Sequence, residues 1–98
     1  MEPTITNPIV IEKESISTLH YPKTEVLKTI QEEKIRAHEL QSAIRLGNTQ
    51  KRKVKIVFED NQGLKQIETT VWAVTEKNIL LKGGMFIPII RIHRISAY

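Results

Sequence analysis

The chain has 98 residues, 40% apolar, 5% aromatic and 27% charged, the make-up of one small globular domain with a tail. Its apolar runs fall far short of the roughly 18 residues of a membrane span, and the lack of cysteine excludes disulfides, thiolate catalysis and cysteine-held zinc. The net charge of +4 is uneven: residues 47–98 hold nine basic and four acidic groups, whereas residues 1–21 carry −2, so the basic excess either suits a polyanion such as nucleic acid or anionic lipid or is ordinary solubility charge; RNA is the expected partner, and no membrane is expected.

Residues 1–21 read as an extended or disordered arm. Met1–Glu2–Pro3–Thr4 lacks the basic start and apolar block of a secretory signal, so a cytoplasmic protein is expected. Pro3 and Pro8 favour extended backbone. Ile9–Val10–Ile11 is the one apolar run and predicts a short strand, docked on its own domain or on a partner.

Residues 22–47 read as one amphipathic helix. Pro22 suits a first turn, where its missing N–H costs nothing. Gly47–Asn48 predicts a left-handed C-terminal stop. Val26, Ile30, Ala37, Leu40 and Ile44 fall within about 80° of arc, with Glu33 interrupting the stripe and Ile35 and Leu46 on the other side. Alone such a helix is marginal in water, so its stripe needs a partner surface. Glu32 and Arg36 are spaced for an i,i+4 ion pair. The flank from Lys23 to Arg45 reads as a solvated face, or as one laid along a phosphate backbone.

Residues 53–98 read as strands. Lys53–Phe58 alternates, with Val54, Ile56 and Phe58 on one face. Residues 59–63 form a turn cluster, and Leu64–Val74 is β-branched enough for a long strand. Residues 75–78 turn the chain into a short strand at 79–82. Gly83–Gly84 predicts a tight reversal into Met85–Ile87, and Pro88 belongs at a strand end or sheet edge. The slip in spacing from Ile92 to Ile95 predicts a bend or one 3₁₀ turn near 89–91, then a closing strand to Tyr98. Five short strands need closure to remove their edges. The expected fold is α+β: an N-terminal arm, one long helix, and a small five-stranded SH3-like or Sm-like β-barrel.

The run Ile79–Leu80–Leu81–Lys82 followed by Ile92–His93–Arg94–Ile95–Ser96 resembles the Sm-like family, which includes Hfq-type RNA chaperones. Asn78-x-x-Leu81 looks like the end of that family's first motif and His93-x-Ile95 like the end of its second. Thr69–Thr70 stand where its second strand has a bending glycine. The likeness implies a helix before a bent barrel that binds RNA. Leu46-Gly47-Asn48, the segment 53–60 (KVKIVFED), and Lys82-Gly83-Gly84 followed by Ile87-Pro88-Ile89 also resemble small bacterial helix-plus-barrel proteins of the Bacteroidetes type, a likeness that implies no activity.

Lys51, Arg52, Lys53 and Lys55 form the densest basic cluster, suited to phosphate contact or to a solvated linker. Arg91, His93 and Arg94 could add a basic edge in the closing strand, or serve the strand's surface. Trp72 lies opposite Ile67, Val71 and Ala73. Its indole either packs under the helix or arm, or faces out to stack a base or anchor a partner, and Phe86 and Tyr98 are lesser candidates. His20, His38 and His93 lack metal-ligand spacing, and no triad, nucleophile elbow or phosphate-cradling loop is present. A non-enzymatic, cofactor-free nucleic-acid-binding protein, part of a ribonucleoprotein or ribosome-associated, is therefore expected. A protein-interaction or homo-oligomeric assembly module is the alternative.

Overall fold

The computed structural model describes residues 7–97, so Tyr98 and the segment 1–6 with Pro3 lie outside the described residues. The chain runs β1 (Ile9–Val10), a 3₁₀ turn (Lys13–Thr18), α1 (Ile30–Arg45), a π-helical stretch (Leu46–Gln50), β2 (Val54–Glu59), β3 (Leu64–Thr69), β4 (Val71–Val74), β5 (Asn78–Leu81), β6 (Phe86–Pro88), a 3₁₀ turn (Ile89–Arg91) and β7 (Ile92–Ala97). It is a mixed α+β architecture with one long helix and two sheets.

The larger sheet has the order β1-β3-β2-β7 and the smaller β4-β5-β6. β2 pairs antiparallel with β3 from Val54↔Thr69 to Glu59↔Leu64, and with β7 on its other side. Alternation along β2 sends Val54, Ile56 and Phe58 inward. They meet Ile67, Val71, Ile79, Leu81, Ile87 and Ile92, all fully buried. Each such side chain contributes about 1.5–3 kcal/mol of transfer free energy.

The stretch expected as one strand at 64–74 breaks at Thr70, where the chain leaves the larger sheet for the smaller. Two contacts hold this corner without a glycine in the strand. Lys82 N–H donates to the Thr70 carbonyl at 2.9 Å. On the helix side Gly47 lies against Val71, so close that a Cβ there would stand 2.1 Å from the Val71 carbonyl oxygen. Gly47 therefore serves a close approach. The left-handed turn expected at Gly47–Asn48 falls instead on Lys51, at φ 52°.

The chain returns to the larger sheet through the 3₁₀ turn at 89–91, as the spacing predicted. Among the described residues no ladder joins β6 to β7, so the sheets are not hydrogen-bonded into a closed five-stranded barrel. The outer edge of β7, where a closing strand would pair, is occupied by the helix. Ile95 N–H donates to Glu39 at 2.9 Å, and Arg36 donates to the Ile92 carbonyl at 3.0 Å. Side chains from one helix face thus blunt an edge that would otherwise be open to pairing.

The helix departs from expectation at its start. It begins at Ile30, not Pro22, because Thr29 caps it. The Thr29 hydroxyl accepts from Glu32 N–H at 3.1 Å, and the Glu32 carboxylate accepts from Thr29 N–H at 3.1 Å. This Thr-x-x-Glu box commits Glu32 to the cap and removes it from the expected pair with Arg36. The buried face is correspondingly rotated. Arg36, Leu40 and Ala43 are buried, while Ala37 is exposed and Ile30 is 62% exposed.

The arm docks on its own domain. β1 pairs in parallel with β3 (Ile9↔Lys65, Val10↔Gln66), and Ile11 N–H donates to the Gln66 carbonyl at 3.0 Å. Ile16 is buried in the core and anchors the arm beyond the strand. No helix among the described residues is long and apolar enough to cross a membrane.

Candidate functional site

The basic run lies at the corner between the sheets. Lys51, Arg52 and Lys53 are all exposed. The left-handed turn at Lys51 lets Arg52 N–H donate back to the Leu46 carbonyl at 3.2 Å, which folds the run against the end of the helix. Pairing of Val54 with Thr69 sets Lys53 beside Thr70, and the bond from Lys82 N–H to Thr70 brings Lys82 to the same place. A groove of about 420 Å³ opens there, lined by Lys53, Lys82 and the arm's Lys13, with Glu12, Glu14 and Glu68 also in its walls. Among the described residues none of these six charges forms an ion pair. Lys55 shares the strand face of Lys53 but is not among the residues that line the groove. It is half-buried within β2, across from Glu68 on one side and Ser96 on the other.

The second basic group is not at this corner and is committed to internal partners. Arg91 is 5% exposed. It donates to the Glu59 carbonyl at 3.0 Å, to the Thr24 carbonyl at 2.9 Å and to the Thr24 hydroxyl at 3.0 Å, with Glu59 carboxylate at 3.8 Å. His93 Nε2 lies 2.9 Å from Glu59 Oε1. Arg94 donates to Glu39 Oε2 through Nε at 2.9 Å and Nη2 at 2.6 Å, and this bonding raises the Arg94 pKa. The residues of the expected basic edge, Arg91, His93 and Arg94, thus each have a partner within the chain. The chain's own carboxylates and carbonyls use these donors, and Arg91 is a strut joining the β2 end to the segment before α1.

Trp72 is 48% exposed and does not pack beneath the helix or arm. It alternates outward from buried Val71, and a bulge follows. Val71 faces Leu81 and Ala73 faces Leu80, leaving Trp72 as the extra residue. Phe86, 52% exposed, faces Leu80 across the β5–β6 ladder. Ala73, Leu80 and Phe86 thus share the outer face of the smaller sheet, with Trp72 beside them. A second bulge, at His93, absorbs the Ile92–Ile95 slip and lets both isoleucines face inward.

Several polar residues shape the molecule in roles the sequence reading did not expect. Arg36, buried in α1, donates to Glu25 at 2.7 Å and 2.5 Å, and its guanidinium holds the Glu25 carboxyl below its ordinary value against desolvation. Asp60 is buried in the β2–β3 turn, where burial alone would raise its carboxyl. Bonds from Gln62 N–H (2.8 Å), Lys65 Nζ (3.2 Å) and Gly63 N–H (3.0 Å) outweigh that and hold it low. Lys82 was legible as a cation next to a glycine turn, but its meeting with Lys53 depends on the corner at Thr70. Lys13 carried no signal, since it reaches the groove only because the arm docks. Among the described residues no cluster of three or more histidine, aspartate or glutamate side chains could hold a metal ion. No family model, curated protein or solved structure matches the chain.

Proposed function

We propose that the chain is a non-catalytic nucleic-acid-binding protein that takes single-stranded RNA at the corner between its sheets, as a ribonucleoprotein or ribosome-associated component. The observation that carries this reading is the gathering of Lys53, Lys82 and Lys13 on one groove beside the exposed run Lys51–Lys53, with exposed Trp72 two residues along the chain from Thr70 of its lining. Lysines and an exposed aromatic ring hold single strands by phosphate contact and stacking, without reading sequence; the groove's three lysines are matched by its three glutamates, so the exposed run that begins at Lys51 supplies the positive excess at the corner. Net charge in residues 47–98 supplies long-range attraction. The finer architecture consistent with this reading is a strongly bent Sm-like or SH3-like small barrel left open between β6 and β7. Titration of a fluorescein-labelled 20-mer of oligo(U) tests it. Log affinity falls linearly with log salt if phosphates are neutralised, and salt-independent or undetectable binding at low salt overturns it.

A second reading rests on a different observation. The exposed row Ala73–Leu80–Phe86 with Trp72 favours a protein partner or a second copy on the smaller sheet. Phe86→Ser would then lower a sedimenting mass above that of the monomer, while leaving RNA affinity intact.

A further inference from the structure

A second groove, of about 740 Å³, runs between residues 19–23 and the β5–β6 end of the smaller sheet. Leu19, Tyr21 and Pro22 form one wall, and Pro88, Ile89 and Ile90 the other. Its volume lies in the roughly 300–1,000 Å³ range of small-molecule sites, which are mostly apolar with a few polar groups.

Backbone bonds hold both walls. Asn61 N–H donates to the His20 carbonyl, Ile89 N–H to the Lys77 carbonyl and Val26 N–H to the Ile90 carbonyl, each at 2.9 Å. Within the first wall the Tyr21 ring lies 6.2 Å from the ring of core residue Phe58. A ligand therefore enters a surface that is already shaped, and ordering costs little on binding.

The polar lining sets the class of ligand. Lys23 and Lys77, both exposed, line the groove together with one carboxylate, Glu76, and with His20. Lys23, Lys77 and Glu76 together leave one positive charge beside an apolar floor. That is the complement of a molecule with one negative head and an apolar tail.

We propose that this groove binds a monoanionic amphiphile of the fatty-carboxylate class. The tail lies along the proline and isoleucine floor and the carboxylate turns toward Lys23 and Lys77. The site is separate from the basic corner in its residues and does not rest on RNA binding.

Calorimetric titration with dodecanoate, kept below its micelle concentration, tests the assignment. Saturable one-to-one binding is expected, with none for acetate, which lacks the tail. The exposed pair change Lys23→Ala with Lys77→Ala weakens dodecanoate at least tenfold, and its unaltered urea midpoint shows that the fold is kept. Lys51→Ala with Lys53→Ala leaves dodecanoate affinity unchanged. Failure of the wild-type chain to saturate, full affinity in the Lys23/Lys77 variant, or an equal loss in the Lys51/Lys53 variant overturns the proposal.

Discussion

A Cβ on Gly47 would meet the Val71 carbonyl oxygen at 2.1 Å, so the end of the helix and the start of β4 approach as only glycine permits. The obstacle is backbone, which cannot swing aside as a side chain can. Gly47→Ala must push the helix end off the corner between the sheets. Urea unfolding should show a loss of about 3 kcal/mol or more, at the upper end of single-substitution effects. Asn48→Ala, one residue along and exposed, should change stability by no more than about 0.5 kcal/mol. Equal, small losses in both would refute the close-approach account.

Arg36 and Glu25 make an asymmetric pair. The Arg36 side chain is 6% exposed and that of Glu25 27%. Removing the carboxylate strands a buried guanidinium, whereas removing the guanidinium leaves an anion that water can reach. Glu25→Ala should therefore cost about 3 kcal/mol, and Arg36→Met, which keeps the buried stem apolar, clearly less. Urea midpoints for the two variants check the order, and a reversed order would contradict the burial argument.

Stability should fall at both ends of the pH scale. Glu25 and Asp60 have folded-state pKa values below the unfolded 4.5 and 3.8. The unfolded chain therefore binds more protons as pH falls through this range, and the stability these groups give above it is lost. Desolvation, aided by Asp60, pushes the Tyr21 phenol up to about 12 from 10.0. Here the folded chain keeps a proton the unfolded chain releases, so stability drops as pH rises from 10 toward 12. Asp60→Asn should make the acid limb of a urea-midpoint profile shallower, and Tyr21→Phe should do the same at the alkaline limb.

The strands were largely legible because period-two alternation and glycine or proline punctuation act locally. Val54–Phe58, the Gly83–Gly84 reversal, the strand end at Pro88 and the 3₁₀ turn after it all follow from neighbours in sequence. The helix start was misread because Pro22 is a general signal and the Thr29–Glu32 box a specific one. The apolar stripe was misplaced because one buried position is a charge, Arg36, whose partners lie 11 and 56 residues away. Arg91, His93 and Arg94 read as a basic edge for the same reason. Their carboxylates, Glu59 and Glu39, come from β2 and α1, and composition along β7 cannot show that. The exposure of Trp72 follows from alternation with buried Val71, whereas the outward turn of Ala73 depends on a bulge, which alternation alone does not distinguish from a regular strand.

The central claim is that Lys51, Lys53 and Lys82 touch phosphate, whereas Arg94 is held by Glu39. The direct test is the salt dependence of oligo(U) 20-mer affinity, read by fluorescence anisotropy in three proteins: the wild-type chain, the Lys51→Ala/Lys53→Ala/Lys82→Ala variant, and Arg94→Ala. Each phosphate contact on a single strand contributes about 0.7 to the slope of log affinity against log salt. The triple variant should lose about 2 from that slope, and Arg94→Ala should keep it. An unchanged slope in the triple variant, or a loss confined to Arg94→Ala, would contradict the account.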